Sequence, residues 1–378
     1  MKKAFSILLL IILLSCSGNP SNALNSSVKR KNALTTQYVE HAPILITHDD
    51  NFTQQGFQGA GNDKSPFLIQ NLKISAASGD GINISYVTKS FVIENCIIEA
   101  PNNGISLFEV GSNTNHFVIR NTLVNNSFIG IYLSQSSNII LADNNCTYND
   151  GAAIKLDSAT DCILEHNILR YNMGIGLLLK GFNSNANITL NIIYQNSDYG
   201  IYLKENTESS MIYKNIFYWN GYSTLLNAYD AGSLNQWSNI QYEIGNSYSD
   251  WDNKGVYHIP GPSASIDFFP TNDTDDDGMP NDFELANACD PVDEDGFLDY
   301  DWDGLSNARE YELGTDPNDS DTDDDGYNDR WEVNAGSDPL DPNSTPANIS
   351  STANIYYLIT LIALPILSLI KKYKREIQ

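Results

Sequence analysis

The chain has 378 residues, of which 41% are hydrophobic, so it can bury a sizeable core and is not a disordered polymer. Its formal charge is −26, and residues 273–341 alone hold 25 acidic and 2 basic residues, a net charge of −23. Without a compensating basic stripe, this acidity argues against nucleic acid as a partner and favours bound cations.

The first predicted element is an export signal over residues 1–16. Lysines at the N-terminus precede an apolar run, Ala4–Leu14, which has the length of a signal-peptide core and is short for a membrane span. The stretch LLSC that ends at Cys16 resembles a bacterial lipobox, which would place a lipid on Cys16. Ordinary cleavage near Cys16 fits equally well, and residues 17–40 are predicted to be a linker.

A repeat with a period of 23 to 26 residues follows over residues 41–270. One asparagine recurs in every repeat, a second series keeps an offset of five from it, and a G-I-x-L signature has the same period, as in GIYL at Gly130 and Gly200. Such self-similarity is typical of solenoids. The first series comprises Asn71, Asn95, Asn121, Asn144, Asn167, Asn191 and Asn215, and the second comprises Asn126, Asn149, Asn172, Asn196 and Asn220.

Apolar residues hold two further positions of the repeat, and we predict that both face the core. Three before the first asparagine are Val92, Val118, Leu141, Leu164, Ile188 and Ile212, and two after it are Ile97, Leu123, Cys146, Leu169, Ile193 and Phe217. Short strands on this period stack at about 4.8 Å, with asparagine at one bend and glycine at another. The sequence therefore predicts an all-β parallel β-helix solenoid of about seven coils. The remaining cysteines, Cys96, Cys146, Cys162 and Cys289, are predicted to be buried packing residues.

With these residues the repeat resembles right-handed parallel β-helix proteins of the NosD-like type, also called carbohydrate-binding and sugar-hydrolase repeats. The segment HAPILITHDDNF from His41 resembles the leading segment of that family, and GNSYSDW with GVYHIPG resembles its closing segment. The resemblance implies the fold and a polysaccharide partner. It also implies copper-site maturation, but copper(I) requires clustered Met, Cys or His, and here the histidines and methionines are scattered.

The position before the first asparagine carries charged residues on four successive repeats: Glu94, Arg120, Asp143 and His166. In a polysaccharide lyase or glycoside hydrolase these would be the catalytic residues. Glu94 and Asp143 would lie two coils apart, roughly 10 Å at ~4.8 Å per coil, at the outer limit for an inverting glycosidase. A solvent-facing ladder of alternating charges explains the pattern better. Catalysis is therefore the alternative hypothesis, and binding or a structural role the leading one.

Aromatic residues recur three to four positions after the first asparagine. Because sugars stack on aromatic faces, this outward-facing stripe is a candidate polysaccharide site. Tyrosines that cover a half-buried sheet would give the same pattern, and the sequence leaves both interpretations open. The stripe comprises Tyr148, Arg170, Tyr171, Tyr194, Tyr218 and Trp219.

Three twelve-residue windows within residues 271–341 predict calcium loops: DTDDDGMPNDFE, DYDWDGLSNARE and DTDDDGYNDRWE. Each has Asp at positions 1, 3 and 5, Gly at 6, Asn or Asp at 9 and Glu at 12, which is the ligand pattern of an EF-hand loop with a backbone carbonyl at 7. The predicted ligands are Asp273, Asp275, Asp277, Met279, Asn281 and Glu284; Asp299, Asp301, Asp303, Leu305, Asn307 and Glu310; and Asp321, Asp323, Asp325, Tyr327, Asp329 and Glu332.

Together with the linking segment YELGTDPNDSDTDDDG, these loops resemble thrombospondin type 3 and dockerin-like repeats. The resemblance implies that Ca²⁺ is held as a structural ion.

The last predicted elements are a linker at residues 342–354, a transmembrane helix at residues 355–370 and a basic cytoplasmic tail at residues 371–378. The apolar run IYYLITLIALPILSLI ends in a lysine cluster, which is the pattern of a stop-transfer sequence. The membrane is thus a predicted partner. The sequence predicts a cell-surface, membrane-anchored protein whose bulk lies outside the cytoplasm and binds polysaccharide or serves an adhesive or envelope role.

Overall fold

The computed structural model of the chain describes residues 37–111, 117–221 and 226–346. The chain divides into two compact units, one at residues 32–275 and the other containing the acidic segment from Asp276. The predicted signal peptide, membrane helix and basic tail all lie outside the described residues. Within the described ranges, no helix has the length and apolar character needed to cross a membrane.

The first unit consists almost entirely of short strands. Its first fourteen are β1 (Val39–His41), β2 (Ile44–Ile46), β3 (Phe67–Gln70), β4 (Leu72–Ser75), β5 (Ile82–Ser85), β6 (Phe91–Glu94), β7 (Ile97–Glu99), β8 (Asn103–Phe108), β9 (Phe117–Arg120), β10 (Leu123–Asn125), β11 (Ile129–Ser134), β12 (Ile139–Ala142), β13 (Asn145–Thr147) and β14 (Ile154–Asp157), with one helical turn, α1 (Asn51–Gln54), after β2. The others are β15 (Ile163–Glu165), β16 (Ile168–Arg170), β17 (Leu177–Lys180), β18 (Asn183–Ser184), β19 (Asn187–Thr189), β20 (Ile192–Tyr194), β21 (Ile201–Leu203), β22 (Thr207–Glu208), β23 (Met211–Tyr213), β24 (Ile216–Tyr218), β25 (Ala228–Asp230), β26 (Ser247–Tyr248), β27 (Tyr257–His258) and β28 (Ile266–Asp267).

Twenty-four of these strands form three long parallel sheets, while β18 pairs with β22 in parallel and β27 pairs with β28 antiparallel. The first sheet has the order β1-β4-β7-β10-β13-β16-β20-β24-β26, the second β2-β5-β8-β11-β14-β17-β21-β25, and the third β23-β19-β15-β12-β9-β6-β3. Each strand pairs with the strand one repeat away in sequence, so the chain visits the three sheets in turn. The seven strands of the third sheet span a parallel β-solenoid of about six turns, where the sequence predicted about seven coils. The predicted all-β parallel β-solenoid is confirmed, whereas the calcium spacer and the transmembrane helix stay predictions.

The core is a stack of apolar side chains inside the solenoid, with one or two from most strands, such as Ile98 from β7 and Ile105 and Leu107 from β8. In the first sheet, Ile98, Val124 and Cys146 are in register and are fully buried or nearly so. The four cysteines are buried and form no disulfide, as predicted. Because every coil repeats this arrangement, the solenoid has a continuous hydrophobic core and does not depend on a single central cluster.

The predicted core positions are wrong by one residue in the early coils. Ile97 and Leu123 are partly exposed, whereas the adjacent Ile98 and Val124 are fully buried. The reason is that Asn121 does not occupy the ladder position of the later asparagines. It lies at a bend in the left-handed conformation, with φ 49°, which asparagine tolerates better than most residues. The same offset places Val92 and Val118 beside the inward-facing Ile93 and Ile119.

The first asparagine ladder connects buried side chains on adjacent coils between the third and first sheets. Each Nδ2 donates to the Oδ1 of the next member over 2.9–3.0 Å, and each Oδ1 also accepts from a backbone N–H. Amides suit this position because they donate and accept at once. In the earlier coils Thr122 and Cys96 take the place of asparagine. The members are Asn144, Asn167, Asn191, Asn215 and Asn246.

A second ladder connects the bends between the first and second sheets, with Nδ2 to Oδ1 distances of 2.8–3.2 Å. Here Asn126 is not a member: it lies in the left-handed region at φ 51°, and Ser127 donates to the ladder in its place. The members are Asn149, Asn172, Asn196, Asn220 and Asn227.

Both ladders end on an aspartate. Asn246 donates its backbone N–H and Nδ2 to Asp267 Oδ2 over 2.7 and 3.0 Å, and Asn227 donates Nδ2 to Asp250 Oδ1 over 2.7 Å. All amides in a ladder point the same way, so hydrogen donors face its C-terminal end. A carboxylate, which only accepts hydrogen bonds, satisfies the last donors.

Asp267 should make stability depend on pH. Burial raises the pKa of its carboxyl to about 6, because desolvation outweighs the hydrogen bonds donated by Asn246, Phe269 and Tyr248. The folded-state pKa exceeds the unfolded value of 3.8, so its stabilisation is complete below pH 3.8 and is lost as pH rises through 6.

We therefore expect wild type to lose roughly 2–3 kcal/mol of unfolding free energy between pH 4 and 7, relative to Asp267→Asn. Urea unfolding of both proteins across this pH range measures the difference. A difference that does not change with pH would show that the carboxyl does not titrate in this window.

Between residues 276 and 345, the acidic unit has three helices of seven residues, each of which begins at position 9 of a predicted loop. They are α2 (Asn281–Asn287), α3 (Asn307–Leu313) and α4 (Asp329–Ala335). Each ends in a left-handed residue, at Ala288, Gly314 and Gly336. Because position 12 lies in the first turn of each helix, the loop glutamates are carried on a helix and not on a free segment.

Candidate functional site

The four charged residues proposed as catalytic do not form one column. Glu94 and Arg120 are in register on β6 and β9, and Arg120 Nη2 lies 2.6 Å from Glu94 Oε2. The next residue in register is Ala142. Asp143 and His166 lie one residue further on, at bends with φ 55° and 53°. The predicted column was therefore wrong, for the same one-residue offset that shifted the core positions.

The predicted aromatic stripe is two separate columns. Tyr148 and Trp219 lie at left-handed bends and are 53% and 45% exposed, and Tyr171 lies at the same bend and is half-buried. Tyr194 and Tyr218 lie on the first sheet and are only 1% and 5% exposed. Arg170, in register with Tyr194, is also buried. The prediction that the whole stripe faces outward was wrong for these three residues.

The residues of the two columns contact one another. The rings of Tyr148 and Tyr171 stack with centroids 5.3 Å apart, and Tyr171 meets Tyr194 edge to face at 5.4 Å. Arg170 Nη1 donates to Tyr194 Oη over 2.8 Å, which satisfies a buried hydroxyl. Burial raises the pKa of the Tyr171 hydroxyl well above its usual range. Tyr194 is thus a structural residue. Of these two columns, only the bend column, which comprises Tyr148, Tyr171 and Trp219, offers accessible rings.

A second accessible surface, which was not predicted from the sequence, lies on the outer face of the second sheet. Side chains alternate along a strand, so the neighbours of the buried Ile and Leu residues point outward. Five consecutive strands place such a residue in one register column. The column comprises Tyr132, Lys155, Leu178, Tyr202 and Tyr229, all half-buried.

Three tyrosines form a cluster at one end of this column. The ring centroids of Tyr202 and Tyr229 are 5.0 Å apart, and Tyr199 lies 4.9 Å from Tyr202 and 5.7 Å from Tyr229. All three pairs are tilted or edge to face, as aromatic pairs prefer. Each ring keeps part of its surface exposed. The cluster is therefore an accessible aromatic platform and not a core packing group.

Three lysines lie on the same face. Lys155 Nζ lies 4.5 Å from the centroid of the Tyr132 ring, Lys204 Nζ lies 5.4 Å from that of Tyr202, and Lys180 Nζ lies 2.7 Å from Asp157 Oδ2. Burial lowers the pKa of Lys155, and the positive charges of Lys180 and Lys204 lower it further. The lysines are thus close enough to repel one another. We call these lysines and the tyrosine column the tyrosine-lysine face.

Part of the tyrosine-lysine face can be recognised in the sequence from the G-I-x-L signature. The third position of the G-I-x-L signature points outward, and it is tyrosine in both GIYL motifs, at Tyr132 and Tyr202. The equivalent position is Lys155 in AIKL. Alignment of the signature, without the asparagine series, would have identified Tyr132, Lys155, Leu178 and Tyr202, but not Tyr229, which follows no such motif.

The predicted calcium loops bring their carboxylates together. Asp299, Asp301 and Asp303 each offer an oxygen within 4.8 Å of the others, and Asp321, Asp323 and Asp325 do the same. In the first loop this holds for Asp273, Asp275 and Asp277. The aspartate at position 5 also accepts the backbone N–H at position 7, which is Met279, Leu305 or Tyr327, and so shapes each turn.

The glutamates at position 12 support a cation site most strongly. Glu310 and Glu332 are fully buried, and none of their carboxylate oxygens has a hydrogen-bond partner. Burial and the surrounding aspartates raise the pKa of Glu310 to about 8 and that of Glu332 to about 7. A buried carboxylate without a partner is costly unless a cation neutralises it. Hard oxygen donors in this number fit a calcium ion.

Position 9 is engaged within the protein. Asn307 Nδ2 donates to the Asp295 carbonyl over 3.0 Å, and Asp329 accepts hydrogen bonds from the backbone and hydroxyl of Thr322. Asn281 is fully buried. In EF-hand loops this position often reaches the ion through a water molecule, which agrees with these contacts.

The family model for the right-handed β-helix region matches residues 44–217 and 109–246, which together span more than half of the chain. The chain belongs to the right-handed β-helix family. The model for bacterial TSP3 repeats matches residues 299–320 and 321–342, which contain the second and third loops. No curated protein is detectably similar to this β-helix protein. NosD-like specificity, which the sequence predicted, stays a prediction.

Three solved structures are similar to this chain at low identity. The Dettilon tailspike protein gp208 is 12% identical with a TM-score of 0.37, over 48% of this chain and 41% of its own. Pectate lyase Pel9A is 11% identical with a TM-score of 0.39, over 62% and 68%. The A-module of mannuronan C-5 epimerase AlgE6 from Azotobacter vinelandii is 13% identical with a TM-score of 0.34, over 60% and 72%. The β-helix protein thus spans about two fifths of the tailspike's length.

Proposed function

We propose that this β-helix protein binds a polysaccharide along the tyrosine-lysine face of its second sheet. The observation that supports this best is the cluster of Tyr199, Tyr202 and Tyr229, whose rings lie 4.9–5.7 Å apart on the outer face of a rigid sheet. Rigid, partly exposed aromatic rings bind apolar faces of a ligand at low entropic cost, and their hydroxyls donate hydrogen bonds.

The dimensions of the face suit an extended polymer. From Tyr132 to Tyr229 the column crosses four inter-strand steps of about 4.8 Å, roughly 19 Å in all. A chain that runs along the solenoid axis meets one side chain of the column per coil. Lys155 and Lys204 add positive charge beside the rings, while Lys180 is paired with Asp157, so carboxylate or sulfate groups on the sugar would reduce the repulsion between the lysines.

The acidic segment serves in this proposal as a calcium-stabilised spacer. Each loop would hold one ion through the side chains at positions 1, 3, 5 and 12 and the backbone carbonyl at position 7. Sites of this kind in extracellular modules bind at roughly 10⁻⁴ to 10⁻³ M, which suits the medium outside a cell. With the predicted signal peptide and C-terminal anchor, the protein would therefore act at the cell surface.

Catalysis receives less support. The carboxylate of Glu94 is already paired with Arg120, and Asp143 is out of register with both, so the three residues do not present two free carboxylates to one bond. Copper maturation also lacks support. The metal-ligand clusters within the described ranges are made of Asp and Glu only, which are not copper(I) ligands.

Glycan-array binding of the purified protein in calcium identifies the ligand, and two variants then test the site. Tyr202→Ala with Tyr229→Ala should weaken binding about tenfold or more, since each ring pair contributes about 0.5–1.5 kcal/mol beyond its buried area. The matched control is Tyr148→Ala with Trp219→Ala, which removes two exposed rings from the bend column and should leave the affinity unchanged.

An assay for new reducing ends or unsaturated products on the same glycan tests the alternative. Binding without turnover supports the proposal, whereas turnover that survives loss of the tyrosines would place the chemistry elsewhere. Equal affinity of wild type and the Tyr202 and Tyr229 variant would overturn the assignment of the face.

A further inference from the structure

The first calcium loop differs from the other two in a second cluster of carboxylates. Asp277, Glu284 and Asp295 each offer an oxygen within 4.8 Å of the others. Asp277 and Glu284 hold positions 5 and 12 of the loop, but Asp295 lies outside the twelve-residue pattern. It lies in a linker of 14 residues, 285–298, whereas the linker between the second and third loops, 311–320, has 10.

Backbone contacts hold Asp295 against the loop. The backbone N–H groups of Asp295 and Gly296 donate to Asp277 Oδ2 over 3.0 and 2.5 Å. A Cβ at position 296 would lie 2.8 Å from the Asp277 carbonyl oxygen, so this close approach requires glycine. The Asp295 carbonyl accepts from Asn307 Nδ2. The inserted residues are therefore fixed on both sides.

Only one of the two carboxylate oxygens of Asp295 accepts hydrogen bonds. Its Oδ2 accepts from the backbone N–H of Asp290 over 2.9 Å and from the Tyr300 hydroxyl, but its Oδ1 has no hydrogen-bond partner and the residue is only 4% exposed. An orphaned buried carboxylate oxygen beside two other carboxylates is strongly unfavourable without a positive charge. No Lys, Arg or His within the described ranges forms an ion pair with it at 4 Å.

The second loop shows the contrast. There Asp303 Oδ2 accepts one backbone N–H, from Arg330 over 2.8 Å, whereas Asp277 Oδ2 accepts two. The Arg330 guanidinium also donates to the Gly304 carbonyl. The residue whose N–H contacts the position-5 aspartate is thus an arginine in the second loop and an aspartate in the first. The first loop therefore carries one more carboxylate beside its position-5 aspartate.

We propose that the first loop binds a pair of calcium ions, the second one held by Asp277, Glu284 and Asp295, with Asp277 and Glu284 shared between the two. This inference rests on the proposed calcium function of the loops. The acidic segment then binds four calcium ions in total, two in the first loop and one in each of the others. Three carboxylates and water molecules supply the oxygen ligands that the additional ion requires.

Equilibrium dialysis of the full chain against calcium measures the number of ions bound. We expect four for wild type, three for Asp295→Asn, and four for Asp319→Asn, which makes the same substitution at an exposed aspartate of the other linker. Three ions in wild type, or four in Asp295→Asn, would overturn the second site. Absence of calcium binding in all proteins would instead overturn the proposed function of the loops.

A crystal structure of wild type in calcium tests the same inference without a variant that could misfold. Two ions that share Asp277 are expected. One ion beside Asp277, with Asp295 Oδ1 bound to a water molecule, would show that Asp295 is only a structural residue.

Discussion

Asn191→Ala should lower the free energy of unfolding by roughly 3–5 kcal/mol, since each buried polar group left without a partner costs about 1–3 kcal/mol. The side chain takes part in five hydrogen bonds. Its Nδ2 donates to Asn215 Oδ1, Leu164 O and Thr189 O, and its Oδ1 accepts from the N–H and Nδ2 of Asn167. Alanine removes all five in a site without access to water.

Urea unfolding followed by circular dichroism measures this loss. The matched control is Asn102→Ala, which replaces an exposed asparagine outside both ladders whose backbone is not left-handed, and should change stability by less than about 0.5 kcal/mol. Asn191→Asp should be at least as harmful as alanine at pH 7, because it replaces the donor by a second acceptor facing Asn215 Oδ1. A loss below about 1 kcal/mol for Asn191→Ala would show that the ladder contributes little.

Removal of calcium should make the acidic segment sensitive to protease while the β-helix stays resistant. Without the ion, buried glutamates such as Glu310 and Glu332 face nearby aspartates with no compensating charge. At 1 mM calcium and a dissociation constant of 10⁻⁴ M, each ion stabilises the folded segment by about 1.4 kcal/mol. Limited proteolysis with calcium and with chelator, followed by mass spectrometry of the fragments, measures the difference.

Glu284→Gln, Glu310→Gln and Glu332→Gln together should reproduce the effect of chelator even in millimolar calcium. The control is Glu312→Gln, which alters an exposed glutamate paired with Arg309 and should behave as wild type. Identical cleavage of the acidic segment in calcium and in chelator would contradict a structural role for the ion.

The period of the sequence was sufficient to predict the solenoid, because every coil needs the same inward residues and the same bends. The register was not predictable from the asparagines alone, since asparagine has two roles in this fold. Asn121 adopts the left-handed bend and Asn144 the ladder position one residue further on. The spacings around Asn121, 26 and then 23 residues, were the only trace of the change.

The tyrosine cluster could not be found by looking for aromatic residues at one offset from the asparagine series. Tyr199 and Tyr202 lie on either side of Gly200, and Tyr229 comes 27 residues after Tyr202. Only strand pairing shows that Tyr202 and Tyr229 are direct neighbours. The burial of Tyr194 could not be predicted from the sequence either, because tyrosine suits both a covered strand and an exposed one.

The acidic loops were the most predictable part of the molecule, because the positions of ligands to a hard cation are fixed by coordination geometry. The exception is Asp295. It belongs to no twelve-residue pattern, and its place beside Asp277 depends on the path of a longer linker that the sequence does not specify.

A crystal structure of the protein in calcium, soaked with the oligosaccharide selected on the glycan array, is the direct test of polysaccharide binding along the tyrosine-lysine face. We expect sugar rings stacked on Tyr199, Tyr202 and Tyr229. The oligosaccharide should run along the solenoid axis towards Tyr132, with its acidic groups beside Lys155. An oligosaccharide bound at the bend column of Tyr148 and Trp219, or on the third sheet beside Glu94 and Arg120, would contradict it.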